Sequence, residues 1–160
     1  MSAALQEPLS SDVLSSLSAY CDEASESISH EAFFALMLRC DPSPKIPTME
    51  MIGERFRPPV TKQRVHQLVR RSEAALRDLA NDLPAEILPS VIATMRGALG
   101  EVFLANELLA VRRTLATQLR KSDPNLGAWS ALPFKMITQP KVAIHCTAAP
   151  GEQVLWSWDA

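Results

Sequence analysis

The stretch that decides the fold begins Thr48-Met49-Glu50-Met51-Ile52-Gly53-Glu54-Arg55-Phe56, breaks at Arg57-Pro58-Pro59-Val60, and resumes Thr61-Lys62-Gln63-Arg64-Val65-His66-Gln67-Leu68. Thr48 reads as a helix N-cap, with Glu50 in the first turn meeting the positive end of the helix dipole. Met49, Ile52 and Phe56 recur at i, i+3 and i+7, one face of a short helix. Gly53 costs a helix about 1 kcal/mol against alanine, so close approach of a second helix is expected beside it. The prolines end this helix. Thr61 then caps a longer one, from Lys62 to about Leu79. Its inward face reads Val65, Leu68, Val69, Ser72, Leu76 and Leu79. Its outward face reads Lys62, Gln63, His66, Gln67, Arg70 and Glu73, with Arg64 and Arg71 flanking.

A short helix, a break and a capped basic helix are the parts of a helix-turn-helix. The first helix supplies an apolar pair, here Ile52 and Phe56, and a small crossing residue, Gly53. Val65 and Leu68 anchor the second helix, whose N-terminal residues can then lie against base edges in the major groove. Lys62, Gln63, Arg64, His66 and Gln67 are the candidate base readers, since arginine and lysine reach guanine and glutamine bonds adenine. Arg55, Arg57, Arg70 and Arg71, with the hydroxyls of Thr48 and Thr61, are the candidate phosphate contacts.

Charge distribution points the same way. The chain has 160 residues and a net charge of −2. Residues 1–44 hold seven acidic side chains against Arg39 alone, a net −6, whereas residues 45–77 carry +5 and residues 78–160 carry −1. A local basic segment of this kind is a pointer to a polyanion, although a solvated basic helix face has the same composition.

The residues Leu38-Arg39, Thr48 to Phe56 and Thr61 to Leu68 together resemble region 4 of bacterial sigma factors. Family members read Leu-Arg, a short loop, Thr-Leu-Glu-Glu-Ile-Gly-Glu-Arg-Phe, a tight turn, and Thr-Arg-Glu-Arg-Val-Arg-Gln-Ile. The resemblance covers residues 30–79 and implies that Lys62, Gln63, Arg64, His66 and Gln67 face promoter DNA. It also permits docking on RNA polymerase. The turn with Pro58-Pro59 is two residues longer than the family's, and Val69-Arg70-Arg71-Ser72-Glu73 drifts from the pattern. Nothing resembles the aromatic-rich region with which initiation factors melt promoters, so a free-standing region-4-like regulator is the better fit.

Around this stretch, residues 1–10 read as a disordered tail. Val13, Leu14 and Leu17 mark a helix capped by Ser11 or Asp12. Ala32, Phe33, Leu36, Met37 and Cys40 mark a second helix after Ser29, ending at Asp41-Pro42-Ser43-Pro44. Two further helices are expected, one from Leu83-Pro84 to Leu99 and one from Glu101 to Arg120. Val142 to Cys146 and Gln153 to Trp158 read as strands joined by a loop containing Pro150-Gly151. The expected fold is mainly α with a small C-terminal β-hairpin. A helical region, 11–82, carries the helix-turn-helix (48–79), and an α+β module, 83–160, follows, read either in the order of a winged helix or as an accessory or dimerisation domain. If the hairpin's apolar face, with Trp156 and Trp158, is left uncovered, it favours a protein partner.

Other chemistries find little footing. Hydrophobic residues make up 47% of the chain, which excludes wholesale disorder. No apolar run is long enough for a membrane span and no signal peptide is evident; three cysteines do not make a disulfide scaffold. The expected location is cytoplasmic. Cys21, His30 and Cys40 match no common metal-ligand spacing. His145 and Cys146 point to opposite faces of a strand, and no phosphate loop or catalytic constellation is present, so no enzyme activity, metal or cofactor is expected. The expected partner is double-stranded DNA. The rival reading is an adaptor that uses the same fold to grip RNA polymerase or another protein. A homodimer stays open: paired half-sites favour one, but no heptad seam points to it.

Overall fold

The computed structural model describes residues 9–40, 47–137, 141–148 and 151–158, with strand side chains in the last two segments described only from Leu155 onward. The chain forms α1 (Ser11–Ser27), α2 (His30–Arg39), α3 (Met49–Glu54), α4 (Lys62–Asn81) and α5 (Ile87–Leu99). Then follow β1 (Val102–Leu104), α6 (Ala105–Ser122), a 3-10 segment (Pro124–Ala131), α7 (Leu132–Met136), β2 (Lys141–Ala148) and β3 (Gly151–Ser157). The fold is mainly helical with a small antiparallel hairpin near the C-terminus, as expected.

Hydroxyl caps set the helix starts. Ser10 accepts from Val13 N at 3.3 Å, Ser29 from Ala32 N at 3.2 Å, Thr48 from Met51 N at 3.2 Å and Thr61 from Arg64 N at 3.2 Å. Each satisfies one of the amide groups a helix leaves unbonded at its first turn. The cap of α1 is therefore Ser10 rather than Ser11 or Asp12. Leu9, read with the tail, is buried, and its N–H donates to Gln118 Oε1 at 3.1 Å. Residues 1–8 of that expected tail lie outside the described residues, as do the break at 41–44 and residues 149–150 of the hairpin loop.

The core forms two clusters. One gathers Ile28, Ala35, Leu36, Ile52, Val65, Leu68, Val69 and Leu76 between α2, α3 and α4. The other gathers Ile87, Val91 and Met95 of α5, Phe103 of β1, Leu108, Leu115 and Leu119 of α6, and Trp156 of β3. Helix α1 serves both: Val13, Leu17 and Cys21 enter the second cluster, Tyr20 and Ala24 the first. Leu83 and Trp129 pack against both. The boundary expected at 82/83 is bridged by α1, by these two side chains and by Leu132 of α7, which belongs to the cluster of α2, α3 and α4.

Three elements differ from expectation. The helix expected from Glu101 begins at Ala105, because Val102 to Leu104 pair with β3 instead, Phe103 opposite Trp156. The hairpin accordingly becomes a three-stranded sheet in the order β1-β3-β2. Burial of Phe103 against Trp156 and Trp158 outweighs the helical periodicity of a segment that starts just after Gly100. The region between Asp123 and the hairpin, to which the sequence reading assigns no element, forms the 3-10 segment and α7.

The order α5, β1, α6, α7 and hairpin keeps the winged-helix sequence of elements. The helix before the hairpin does not present a reading surface, however, because Leu132, Pro133, Phe134 and Lys135 of α7 are buried. The hairpin's tryptophans are covered within the chain. Trp156 is buried, and Trp158 donates from Nε1 to Gly100 O at 3.0 Å, packs on Phe103 and lies under the Arg96 guanidinium. Both tryptophans of the hairpin thus make their contacts within the chain.

Candidate nucleic-acid interface

Helices α3 and α4 cross at Gly53. A Cβ at that position would overlap the Val60 carbonyl and meet Val65 Cγ2 at 3.4 Å. Val60 N donates back to Gly53 O at 3.1 Å, so the longer proline-containing turn folds onto the helix it leaves. The Arg57–Pro58 peptide in this turn is cis. Ile52 and Val65 are fully buried at the crossing, which holds α4 with its polar edge outward.

That edge is open. Lys62, Gln63, His66, Gln67, Arg70 and Arg71 are all exposed, whereas Val65, Leu68, Val69, Ser72 and Leu76 are buried, as the periodicity requires. Lys62, Gln63, His66 and Gln67, with Met49 of α3, line one groove of about 510 Å³. Arg64, grouped with these four in the sequence reading, lies elsewhere. It is half-buried, shares a smaller cleft of about 210 Å³ with Arg71 and the start of α2, and donates to Glu31 Oε1 at 2.8 Å. The five candidate base readers thus divide into four on one groove and one, Arg64, clamped on the α2 side.

Lys62 Nζ stands 3.9 Å from Glu50 Oε1, with both side chains largely in solvent. Exposed pairs contribute about 0–1 kcal/mol, so this one leaves Lys62 able to swing to another anion. Arg57 Nη1 donates to the carbonyls of Glu54 and Phe56 at 3.1 and 3.2 Å, holding its charge at the C-terminal end of α3. Arg55 is exposed beside it. The Thr48 and Thr61 hydroxyls are exposed and already accept the capping amides, yet each retains its own proton to donate.

Two contributors were not visible as such. Met49, read only as an apolar anchor, also forms one wall of the groove. Glu31, read as a first-turn acid of α2, restrains Arg64 across 33 residues, a contact with no local sequence signal.

The cysteines and His30 lie apart from this surface. Cys21 Sγ donates to Trp129 O at 3.2 Å, Cys40 Sγ lies 3.3 Å from Met136 Sδ, and the His30 ring is 6.5 Å from that of Trp129. Burial is the main reason both thiols are pushed up, Cys21 to about 12 and Cys40 to about 11. Among the described residues no three His, Cys, Asp or Glu side chains gather as a metal site, and the side chains of His145 and Cys146 lie outside the described residues. No described helix is long and apolar enough to cross a membrane.

No protein-family model, curated protein or solved structure was found to match this chain.

Proposed function

We propose that this protein is a DNA-binding transcriptional regulator that docks on duplex DNA through α4, in the manner of the sigma region 4 that its residues resemble. The observation that carries the reading is the outward edge of α4: Lys62, Gln63, His66 and Gln67 are all exposed on one groove, held off the core by the Gly53 crossing. A helix entering the major groove needs such an edge free at its N-terminal end.

Lys62, Gln63, His66 and Gln67 then read base edges, while Arg55, Arg70 and Arg71 contact phosphates that fix the register. Arg64, pinned by Glu31, approaches the backbone beside Arg71 rather than a base. The neighbouring α+β module, whose own pre-hairpin helix is buried, holds α1 and through it the reading helix. Occupancy of DNA, or contact with RNA polymerase while bound, adjusts transcription.

Fluorescence anisotropy with a labelled random duplex, repeated over a series of salt concentrations, tests this. Phosphate-driven binding weakens steeply as salt rises, and Arg70→Gln and Arg71→Gln each flatten the slope by about one ion. Undetectable binding at low salt, or affinity indifferent to changing Arg64, Arg70 and Arg71 together to alanine, overturns the proposal. The adaptor reading draws on a different observation, the half-exposed Met51 and the Met49 wall of the groove. An apolar protein interface there predicts partner binding that is nearly independent of salt.

A further inference from the structure

Resting on the DNA-binding reading, we infer that the α4 groove selects A·T base pairs, with Met49 as the residue that takes the thymine 5-methyl group. The observation that carries this is the make-up of the groove. Lys62, Gln63, His66 and Gln67 line it from α4, and Met49, at the start of α3, lines it from the other helix.

Gln63 and Gln67 stand four residues apart, which puts both amides on one face of α4, and both are exposed. A glutamine amide pairs in one plane with N6 and N7 of adenine, an acceptor-and-donor pattern that guanine does not offer. Arginine is the commonest reader of guanine, and no arginine is among the described residues that line the groove. The arginine of this turn, Arg64, donates instead to Glu31 of α2 and lines a different cleft. Lys62 remains, but an ammonium is a point charge without the planar fork that fixes a guanine by geometry.

Met49 is the apolar member of the set. It is half-buried and packs against the cluster of α2, α3 and α4, so the core fixes its place while its open side forms the groove wall. In the major groove only the A·T pair carries an apolar group, the 5-methyl of thymine. A thioether is apolar, polarisable and unbranched, and moulds to such a methyl while a glutamine holds an adenine. One methyl group taken out of water on this wall is worth about fourfold in affinity.

The test is fluorescence anisotropy of the full chain, at fixed low salt, with three labelled duplexes of equal length. One is alternating A·T, the second the same duplex with deoxyuridine in place of thymidine, and the third alternating G·C. The A·T duplex is expected to bind more tightly than G·C, and deoxyuridine to weaken binding by about fourfold per contacted thymine. Met49→Gln keeps the length of the side chain but ends in an amide, and is expected to bind the thymine and uracil duplexes alike. Changing Gln63 and Gln67 together to alanine, at exposed positions, should narrow the gap between A·T and G·C by about tenfold. Equal affinity of the unaltered chain for the thymine and uracil duplexes overturns the inference, as does tighter binding of G·C. A merely structural role for Met49 would lower both affinities in Met49→Gln and leave their ratio unchanged, which overturns its assignment. Binding without any of these preferences sinks this inference alone, whereas no binding to any of the three duplexes sinks the DNA-binding reading with it.

Discussion

Gly53 shows most directly how one residue places the reading helix. In an isolated helix, alanine at this position would gain about 1 kcal/mol over glycine. Here the added methyl meets a backbone carbonyl that cannot swing aside, so the steric term reverses the sign. Gly53→Ala is expected to lose about 1–3 kcal/mol in urea unfolding and to weaken duplex binding with it. Gly127 is needed for another reason: its φ of 52° lies in the left-handed region, at a kink inside the 3-10 segment, and no neighbour would touch a Cβ there. The thiols provide a third test at this scale. Burial raises Cys21 and Cys40 above the ordinary thiol value of 9.0, so the neutral thiols stabilise the fold below about pH 9. That contribution is lost as pH rises through about 11 and 12, and the melting temperature should fall in that window. In a Cys146→Ser chain, reaction of the two remaining thiols with a disulfide reagent at pH 8 is expected to be slower than in the unfolded chain by about a hundredfold.

At the scale of elements, α4 depends on its cap and on α2. Thr61 satisfies an amide at the first turn, next to the residues that face the groove. Thr61→Val keeps the side-chain volume but removes the acceptor, and should cost about 1 kcal/mol in chemical denaturation, with Thr61→Ser restoring most of it. The Arg64–Glu31 bridge is short, yet both side chains are more than two-fifths exposed. Solvent and the entropy of two long side chains hold its contribution to about 0–1 kcal/mol, so Glu31→Gln should leave the melt nearly unchanged. The same variant releases Arg64 and removes the negative charge beside it. Duplex affinity measured by anisotropy is expected to rise, most at low salt. An unchanged affinity would mean that Arg64 does not approach the backbone.

For the molecule as a whole, α1 decides cooperativity. Its Val13, Leu17 and Cys21 belong to the cluster of α5 and α6, while Tyr20 and Ala24 belong to that of α2 and α4; the Tyr20 hydroxyl donates to Leu76 O at 3.2 Å. A fragment ending at residue 82 would leave half of α1 facing water. It is expected to show no cooperative thermal transition, whereas the full chain should unfold in one. Leu17→Ala, at a fully buried position, should lower stability by about 2–5 kcal/mol and lower the transition for helix and sheet signals together in circular dichroism.

The helices and the edge of α4 were legible because their causes are local. Caps at Ser29, Thr48 and Thr61, the proline breaks and the 3.6-residue spacing of Val65, Leu68, Ser72 and Leu76 act within a turn or two. Glycine at 53 likewise announced a crossing. The strand at Val102 to Leu104 was not legible, because its partner Leu155 to Ser157 lies some fifty residues away and only that pairing overrides the helical pattern. Nor was the separation of Arg64 from the other basic residues, which follows from a glutamate on another helix. By itself, the order of amino acids determined the positions of α1 to α5 and the body of α6 and which face of each is apolar, since those depend on neighbours a few residues apart. Tertiary packing alone decided that α1 joins two cores, that α7 is buried, and that Arg64 meets Glu31 of α2, because each requires segments distant along the chain to meet.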